Sequence, residues 1–305
     1  MKKLVIFGGT GFIGSHLVRL LSDDYEIVIP SRNPEKHKER FNDMAVLVPS
    51  GNPDTLAPWF EGAAGIINLA GENVGGRWTK QKKEAIYNSR IQSDHLICKT
   101  FEKINDYPEV VIQGSGMGVY GTETSDEAVT EDSPLGTSGF LTKTGIDHET
   151  ALEEINDKTR VMFLRTGLVM DSKEGSFPQF IQPFKFYLGG TMGKGNQWVS
   201  WITIDDEVEI IKFLLENDKA EGAYNLTAPN PVRQKEMAKI MGKVLHKPAA
   251  VRIPAFLLRL MMKDMADELI LNGKKILPKR LVEAGYSFQH TDFEEAFRYV
   301  LSKNA

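Results

Sequence analysis

The chain alternates short apolar runs with longer segments whose apolar residues recur at helical spacing. Short continuous apolar runs are typical of strands that are buried on both faces of a parallel sheet. Regular alternation of such strands with helices predicts an α/β fold with a doubly wound parallel sheet, and the right-handed crossover rule leaves few other arrangements. In the first half of the chain the predicted strands lie at residues 3–7, 27–29, 45–48, 65–69, 109–113 and 160–164.

The second half of the chain changes character. Residues 171–200 are rich in glycine, phenylalanine and proline, and they predict a loop-rich wall or packing layer. Short strands are expected at 201–204 and 224–226, and a long polar loop at 122–139. Predicted helices begin at residues 15 and 255 and cover 79–105, 140–155, 205–217, 232–245, 264–280 and 292–301. The helix at 264–280 is expected either to continue through Gly273 or to break near it.

Three glycines separate the first strand from the first helix. Gly8, Gly11 and Gly14 stand three residues apart. In that context the first glycine allows a tight turn, the second lets the backbone approach a pyrophosphate, and the third lets the helix pack against the strand. The helix N-terminus then offers free N–H groups and a partial positive charge. The segment predicts a dinucleotide site; the alternative is a purely structural turn.

The end of the second strand bears on which dinucleotide is bound. An acidic residue there would accept a hydrogen bond from the ribose 2′-hydroxyl, whereas this chain has Ser31 and Arg32. Arginine presents a planar fork of donors that suits a phosphate. The sequence therefore favours NADP, and the alternative is a solvated arginine that leaves the preference undecided.

Small residues follow the strand at 65–69. Ala70 and Gly71 leave room for a ligand in the crevice at the carboxyl ends of the strands. Arg90, on the long predicted helix that comes next, is a candidate for the cofactor side of this crevice. Solvated surface charge is the alternative interpretation of this arginine.

Charge and composition narrow the classes of function. The formal net charge is −4, so no global basic field favours nucleic acid or an anionic membrane. The single cysteine, Cys98, excludes a disulfide within the chain, and the six histidines show no ligand spacing that predicts a metal site. No window is apolar enough for a membrane span, and we expect a cytoplasmic protein.

A set of motifs in a fixed order completes the pattern, and together they resemble one subfamily. The motifs are GGTGFIG at 8–14, INLAGEN at 67–73, RWT at 77–79, SRI at 89–91, VYG at 119–121, TEDSP at 130–134, FLRTGLVM at 163–170, PF at 183–184, LGG at 188–190, WITIDD at 201–206 and ILPKRLVEAGYSF at 276–288. With them the chain resembles, over essentially its whole length, the epimerase-like subfamily of the extended short-chain dehydrogenase/reductases, within the NAD(P)-dependent epimerase/dehydratase family.

The resemblance implies an NADP-binding Rossmann domain at 1–168, to which 201–228 contributes, and a smaller mixed α/β substrate-side domain of unassigned role at 169–305. It also implies a homodimer through the helices at 79–105 and 140–157. Asp205 and Asp206 match a segment that supports the substrate domain, and we expect them to cap a helix. The cofactor-binding residues carried over are Gly8, Thr10, Gly11, Phe12, Ile13, Gly14, Ser31, Arg32, Leu69, Ala70 and Gly71.

The catalytic pattern of the superfamily is incomplete in this chain. The resemblance implies a serine or threonine, a tyrosine that exchanges a proton with substrate, and a lysine four residues later. Gly116 stands where the serine is expected, with Ser115 one place earlier, and Phe140 and Leu141 occupy the region of the tyrosine. A phenylalanine cannot transfer a proton, so the reaction type is left open.

Four residues are candidates to replace the missing groups. Ser115 is a candidate contact for substrate or nicotinamide, Tyr120 a proton donor at the crevice, and Lys143 a ribose contact or acid, while His148 is a weaker general acid–base candidate. The alternative interpretations are a core tyrosine at 120, a solvated helix lysine at 143 and a structural or surface histidine at 148. The leading hypothesis is an NADP-dependent epimerase or oxidoreductase acting on a small polar carbonyl or sugar-nucleotide-like substrate. The alternative is an NADPH-binding regulatory or redox-sensing protein without turnover.

Overall fold

A seven-stranded parallel sheet forms the centre of the computed structural model, which describes residues 1–303. Its strands are β1 (Lys3–Phe7), β2 (Glu26–Ser31), β3 (Val46–Pro49), β4 (Gly65–Asn68), β5 (Val110–Gly116), β7 (Arg160–Thr166) and β12 (Gly222–Leu226). Their order across the sheet is β12-β7-β5-β4-β1-β2-β3, so the direction in which strands are added reverses between β1 and β4. This is the predicted doubly wound α/β fold, and the fold class is confirmed.

Helices cover both faces of the sheet, and short strand pairs complete the rest. The helices are α1 (Phe12–Leu21), α2 (Pro53–Phe60), α3 (Lys80–Phe101), α4 (Phe140–Thr150), α5 (Pro178–Lys185), α6 (Ile204–Leu215), α7 (Gln234–Leu245), α8 (Ala255–Met262), α9 (Lys279–Glu283) and α10 (Phe293–Ser302). The remaining strands are β6 (Ala128–Val129), β8 (Leu168–Met170), β9 (Gly190–Met192), β10 (Trp198–Val199), β11 (Trp201–Thr203), β13 (Val232–Arg233), β14 (Val251–Ile253) and β15 (Lys275–Ile276).

Two apolar layers sandwich the sheet because successive strand residues point to opposite faces. In β1, Leu4 and Ile6 join the layer under α1 and α6, while Val5 and Phe7 join the layer under α2 and α3. All four side chains are buried, which explains why the strand is continuously apolar. A third cluster, which includes Phe177, Trp201, Met241, Phe293 and Phe297, holds α5, α7 and α10 together.

A continuous helix at 264–280 is wrong, and the alternative of a break near Gly273 is confirmed. The segment forms a π-helical turn at Ala266–Leu271, followed by β15 and the short helix α9. A side chain at Gly273 would lie 2.1 Å from the Trp198 carbonyl oxygen, so this glycine lets two backbones meet. The Ser200 hydroxyl donates to the Lys274 carbonyl and accepts from the Ile276 N–H, which holds the segment in an extended form. The parallel pairing of β15 with β6 follows from these contacts.

Other boundaries move by a few residues. Helix α1 starts at Phe12 rather than at residue 15, and α4 ends at Thr150 before a separate 3-10 turn at Glu153–Ile155. The stretch 171–200 contains α5 and two short strands, and β6 interrupts the loop at 122–139. Within the described residues no helix is both long and apolar enough to cross a membrane.

Candidate dinucleotide site and its crevice

The first glycine of the loop has a conformation and a neighbour that exclude other residues. Gly8 has φ of +74°, and a Cβ atom there would lie 2.6 Å from the carbonyl group of Leu69. The turn therefore presses directly against the end of β4. Only a residue without a side chain satisfies both the left-handed φ and this close approach.

The other two predicted glycines have different surroundings. A Cβ atom at Gly14 would lie 2.3 Å from the Gly8 carbonyl oxygen, so this residue lets α1 pack onto the turn. At Gly11 an added Cβ would meet the same oxygen at 3.1 Å and, apart from its chain neighbours, no other atom of residues 1–303 within 4 Å. The side of Gly11 away from the turn is open, and a pyrophosphate fits the space that a side chain would fill.

The N-terminus of α1 is free to bind an anion. Gly11 is the N-cap residue in an extended conformation, without a side-chain capping bond and without an acidic residue in the first turn. The first N–H groups of a helix have no intrahelical partner. In α1 these belong to Phe12, Ile13 and Gly14, beside Thr10 in the loop. The helix dipole adds a partial positive charge to these donors.

The end of β2 places the predicted phosphate-binding residues at the same edge of the sheet. The Ser31 hydroxyl accepts from the Asn33 N–H at 3.2 Å, and Arg32 is exposed. A further arginine, Arg40, donates to the carbonyl oxygen of Thr10 at 3.1 Å. No sequence motif points to Arg40, because this residue comes from an irregular polar connection between β2 and β3.

Two motifs meet beside the end of β4. The Arg90 guanidinium donates to the carbonyl oxygens of Ile86 at 2.9 Å and Glu72 at 3.4 Å, and a Cβ atom at Gly71 would lie 3.1 Å from its Cζ. The Ser89 hydroxyl accepts from the Glu72 N–H at 2.8 Å. Ser89 and Arg90 of α3 thus fix the loop that follows Leu69 and Ala70. Arg90 lies beside the crevice, as predicted, and its guanidinium donates to backbone carbonyl oxygens.

Ser115 lies in a buried polar network. Its hydroxyl donates to Glu149 of α4 at 2.7 Å, and the same carboxylate forms a bidentate ion pair with Arg165 of β7 at 2.7 and 3.0 Å. Glu149 and Arg165 are both buried. A buried pair with this geometry compensates much of the cost of desolvating the two charges.

The same network contains Tyr120, which the structure places in the core instead of at the crevice. Its hydroxyl accepts from Arg165 at 2.9 Å and donates to the Asn225 side chain at 2.7 Å. The side chain is only 1% exposed, and burial raises the pKa of Tyr120. This buried hydroxyl, hydrogen-bonded on both sides, joins the 3-10 turn after β5 to β7 and β12.

Lys143 points outward from α4. Its side chain is 74% exposed and pairs at 3.1 Å with Asp147, which also accepts from the Tyr87 hydroxyl. The carboxylate of Asp147 raises the pKa of Lys143, so the lysine stays protonated near neutral pH. It lines an open groove with Trp78, Tyr87 and Phe140 at the start of α3 and α4.

His148 belongs to a second buried network, on the inner side of α4. Its Nδ1 atom lies 2.6 Å from Asp94, and its Nε2 atom lies 3.0 Å from the Gly114 carbonyl oxygen. Gln113 connects this pair to Asn68 at 2.9 Å. All of these side chains are buried, so the histidine is a packing residue that holds α3 and α4 to β4 and β5.

A C-terminal segment closes the crevice beside α4. Met265 and Leu269 pack against Trp78, Phe140 and Leu141, where the superfamily tyrosine was expected. The Glu268 carboxylate accepts from the N–H groups of Phe140 at 2.8 Å and Leu141 at 2.7 Å. Residues 263–272, which we call the strap, therefore cap the N-terminus of α4 with a carboxylate.

The expected capping role of Asp205 and Asp206 is wrong. Thr203 is the N-cap of α6, and its hydroxyl accepts from the Asp206 N–H at 3.2 Å. The Asp206 carboxylate instead accepts from the Tyr286 hydroxyl at 3.0 Å and from the backbone N–H groups of Gln289 and His290. WITIDD and the C-terminal motif thus meet in space. The TEDSP motif meets the same C-terminal motif, where the Arg280 N–H donates to Glu131 at 3.4 Å.

Glu207 is a buried carboxyl group that the sequence analysis missed. It accepts from the Thr166 hydroxyl at 2.8 Å, while its other oxygen has no hydrogen-bond partner among the described residues. Burial raises the pKa of Glu207 to about 8, so the group is largely protonated at neutral pH. No cluster of metal-ligating side chains occurs within residues 1–303.

Comparison with known proteins identifies relatives along the whole chain. The family described as NAD dependent epimerase/dehydratase matches residues 4–227, and a domain of unknown function matches residues 253–300. An epimerase family protein of Bacillus subtilis is 33% identical over 303 residues, covering 98% of each chain. A Staphylococcus aureus epimerase family protein is 30% identical over 307 residues, covering 99% of this chain and all of the relative.

Solved structures agree with this assignment. The human epimerase family protein SDR39U1, crystallised with NADPH, superposes with a TM-score of 0.87 at 27% identity and covers 98% of this chain and 99% of its own. A nucleoside-diphosphate sugar epimerase from Corynebacterium glutamicum has a TM-score of 0.78 at 26% identity, over 99% of this chain and 58% of the other. The chain therefore belongs to the NAD dependent epimerase/dehydratase family, as an epimerase family protein of the extended short-chain dehydrogenase/reductase type with an additional C-terminal region.

Proposed function

We propose that this protein binds NADP(H) and is an epimerase- or oxidoreductase-type enzyme. The observation that carries the proposal is the uncapped N-terminus of α1 behind Gly11, whose open side fits a pyrophosphate. Family membership supports a nicotinamide dinucleotide. The presence of NADPH in the human relative supports the phosphorylated form.

Each part of the site has a role in holding the cofactor. The N–H groups of Phe12, Ile13 and Gly14 would bind the pyrophosphate, and Ser31 with Arg32 would bind the 2′-phosphate. The segment 69–71 would border the adenosine, because it leaves the sheet at the carboxyl end of β4. The bound nicotinamide would supply hydride transfer.

The proposed substrate is a small polar carbonyl or sugar-nucleotide-like molecule in the crevice between the sheet edge and the strap. The Corynebacterium relative, a nucleoside-diphosphate sugar epimerase, supports this class. Tyr120 has no role as a proton donor in this proposal, since its hydroxyl lies in the core. Ser115, partly exposed at the end of β5, keeps its proposed role as a substrate contact.

Titration with NADPH and NADH, followed by thermal shift, tests the cofactor. A ligand at a hundred times its dissociation constant stabilises the fold by about 2.7 kcal/mol, so we expect a clear rise in the melting temperature with NADPH and a smaller one with NADH. An unchanged melting temperature with both nucleotides would refute the proposal. A preference for NADH would refute its NADP part.

The variant Gly11→Ala tests the loop itself. The added methyl group meets one backbone oxygen at 3.1 Å but occupies the pyrophosphate position, so we expect a folded protein with at least about tenfold weaker NADPH binding. Gly51→Ala is the matched control, because no atom lies within 4 Å of its added Cβ. Equal NADPH affinity of the Gly11→Ala variant and the wild type would show that the loop is not the binding site.

A further inference from the structure

Arg40 is held against the glycine loop by two contacts. It lies in the 3-10 turn Glu39–Phe41, and its guanidinium donates to the Thr10 carbonyl oxygen at 3.1 Å. The guanidinium carbon also stands 5.1 Å above the ring of Phe41, which is completely buried. The buried ring fixes the turn, and the turn fixes the arginine at the loop.

Among the described residues, most N–H donors of this guanidinium have no hydrogen-bond acceptor. An arginine side chain carries five N–H donors, and the bond to Thr10 uses one of them. Among residues 1–303 neither Arg40 nor Arg32 forms an ion pair with a carboxylate. The hydrogen bond from Lys82 lowers the pKa of Glu72, and the charge of Arg32 adds to this effect without an ion pair among the described residues.

Both arginines belong to one connection and flank one place. Arg32 directly follows β2, and Arg40 leaves the same β2–β3 connection and returns to the glycine loop. In this fold the adenosine ribose lies between the end of the second strand and the glycine loop. Two unpaired arginines around that position make a local excess of positive charge, which matches a phosphate dianion on the ribose.

We propose that Arg40 is the second arm of a clamp for the 2′-phosphate of NADP(H), acting with Arg32, and is therefore a specificity-determining residue. The inference rests on the proposed function, because it assumes a dinucleotide on this loop. The ligand chemistry is a ribose 2′-phosphate monoester. Arg40 receives it with the donors that do not face Thr10, while the bond to Thr10 keeps the side chain in place.

Two fragments of the cofactor separate this role from others. Calorimetric titration of the full chain with 2′,5′-ADP and with 5′-AMP compares ligands that differ in the 2′-phosphate. For Arg40→Ala we expect about tenfold or more loss of affinity for 2′,5′-ADP and less than about twofold for 5′-AMP. Arg40→Lys keeps the charge without the fork and should lie between the wild type and Arg40→Ala.

Matched controls and contrary outcomes make the test decisive. Arg19→Ala removes an exposed arginine of α1 and should leave both affinities unchanged. Equal losses for both fragments in Arg40→Ala would overturn the inference in favour of stacking on the adenine, and unchanged affinities would overturn it outright. If the wild type binds neither fragment nor NADPH, the proposed function itself fails. Unchanged melting temperatures of the unliganded variants exclude misfolding as the cause of a loss.

Discussion

Glu207 carries a carboxyl group whose pKa is strongly raised by burial. It lies in the first turn of α6, is completely buried, and has one hydrogen bond, from Thr166. Burial without a cationic partner favours the neutral acid, which explains the pKa of about 8. The unfolded chain would titrate this group near 4.5.

This shift predicts a pH-dependent loss of stability. Because the folded pKa is raised, the unfolded chain releases the proton first as the pH increases. The contribution to stability is complete below pH 4.5 and is lost as the pH rises to about 8. In this window the free energy of unfolding falls by up to about 1.4 kcal/mol per pH unit from this group alone.

Glu207→Gln tests the assignment, since glutamine keeps the bond from Thr166 and cannot ionise. We expect the variant to gain stability relative to the wild type as the pH rises from 5 to 8, measured by urea unfolding. The control is Glu221→Gln, which changes an exposed residue. A constant difference between Glu207→Gln and the wild type across the window would contradict the raised pKa.

Gly14 and Gly11 should respond differently to alanine. A methyl group at Gly14 would lie 2.3 Å from the Gly8 carbonyl oxygen, so α1 has to shift away from the turn. We expect Gly14→Ala to destabilise the protein by about 1–3 kcal/mol, as overpacked sites do, and Gly11→Ala to cost less. Chemical unfolding of both variants without nucleotide measures the difference, and the reverse order would contradict the assigned packing role.

At the scale of elements, one buried ion pair connects β5, α4, β7 and β12. Glu149 and Arg165 form its centre, and Ser115, Tyr120 and Asn225 extend it to the outer strands. Removal of one charged partner leaves the other buried without compensation. The network therefore holds the carboxyl edge of the sheet in one arrangement.

We expect two side-chain truncations in this network to lower the stability of the protein by different amounts. Glu149→Ala should destabilise the protein by about 3–5 kcal/mol, because it strands the Arg165 charge. Tyr120→Phe removes only one hydroxyl and should cost about 1–3 kcal/mol, with no change in NADPH affinity. Equilibrium unfolding and nucleotide titration of both variants check this. A selective loss of NADPH binding in Tyr120→Phe would contradict the core position and would indicate that Tyr120 contacts the cofactor in the crevice.

One side chain, that of Glu268, attaches the strap to the N-terminus of α4. Glu268 accepts the N–H groups of Phe140 and Leu141, so Glu268→Ala leaves the N-terminus of α4 without its cap. We expect a loss of about 1 kcal/mol and faster proteolysis within residues 263–272. Glu283→Ala, at an exposed position of α9, is the control. Equal cleavage rates in Glu268→Ala and the wild type would show that the cap does not hold the strap.

The strands of the sheet could be predicted because burial on both faces makes them continuously apolar, as in β1 and β4. The choice between crevice and core for Tyr120 could not be made in this way. Its partners Arg165 and Asn225 lie 45 and 105 residues away along the chain, on strands that meet only in the folded sheet. At 264–280 the local pattern left a continuous or a broken helix open, because the contact of Gly273 with Trp198 is made by residues far apart in the chain.

At the scale of the whole molecule, the homodimer through α3 and α4 stays a prediction. The outward face of α3 is polar, and its exposed side chains include Lys80, Gln81, Glu84, Asn88, Gln92, His95 and Lys99. An interface with such a face has no apolar centre. Any association through α3 should therefore be weak and concentration-dependent, which sedimentation velocity over a wide concentration range measures. A stable dimer at the lowest concentrations would contradict this expectation.

The outermost strand β12 has a consequence for how the protein can be divided. It pairs in parallel with β7 along its whole length, although 55 residues separate Thr166 from Gly222. A fragment that stops after β7 would expose that strand as an unpaired edge and would leave the Tyr120 hydroxyl without Asn225. Open, apolar edge strands recruit other chains, so such a fragment should aggregate rather than bind nucleotide. The seven-stranded sheet is thus built from discontinuous parts of the chain, and we expect that a fragment carrying it must include residues 222–226.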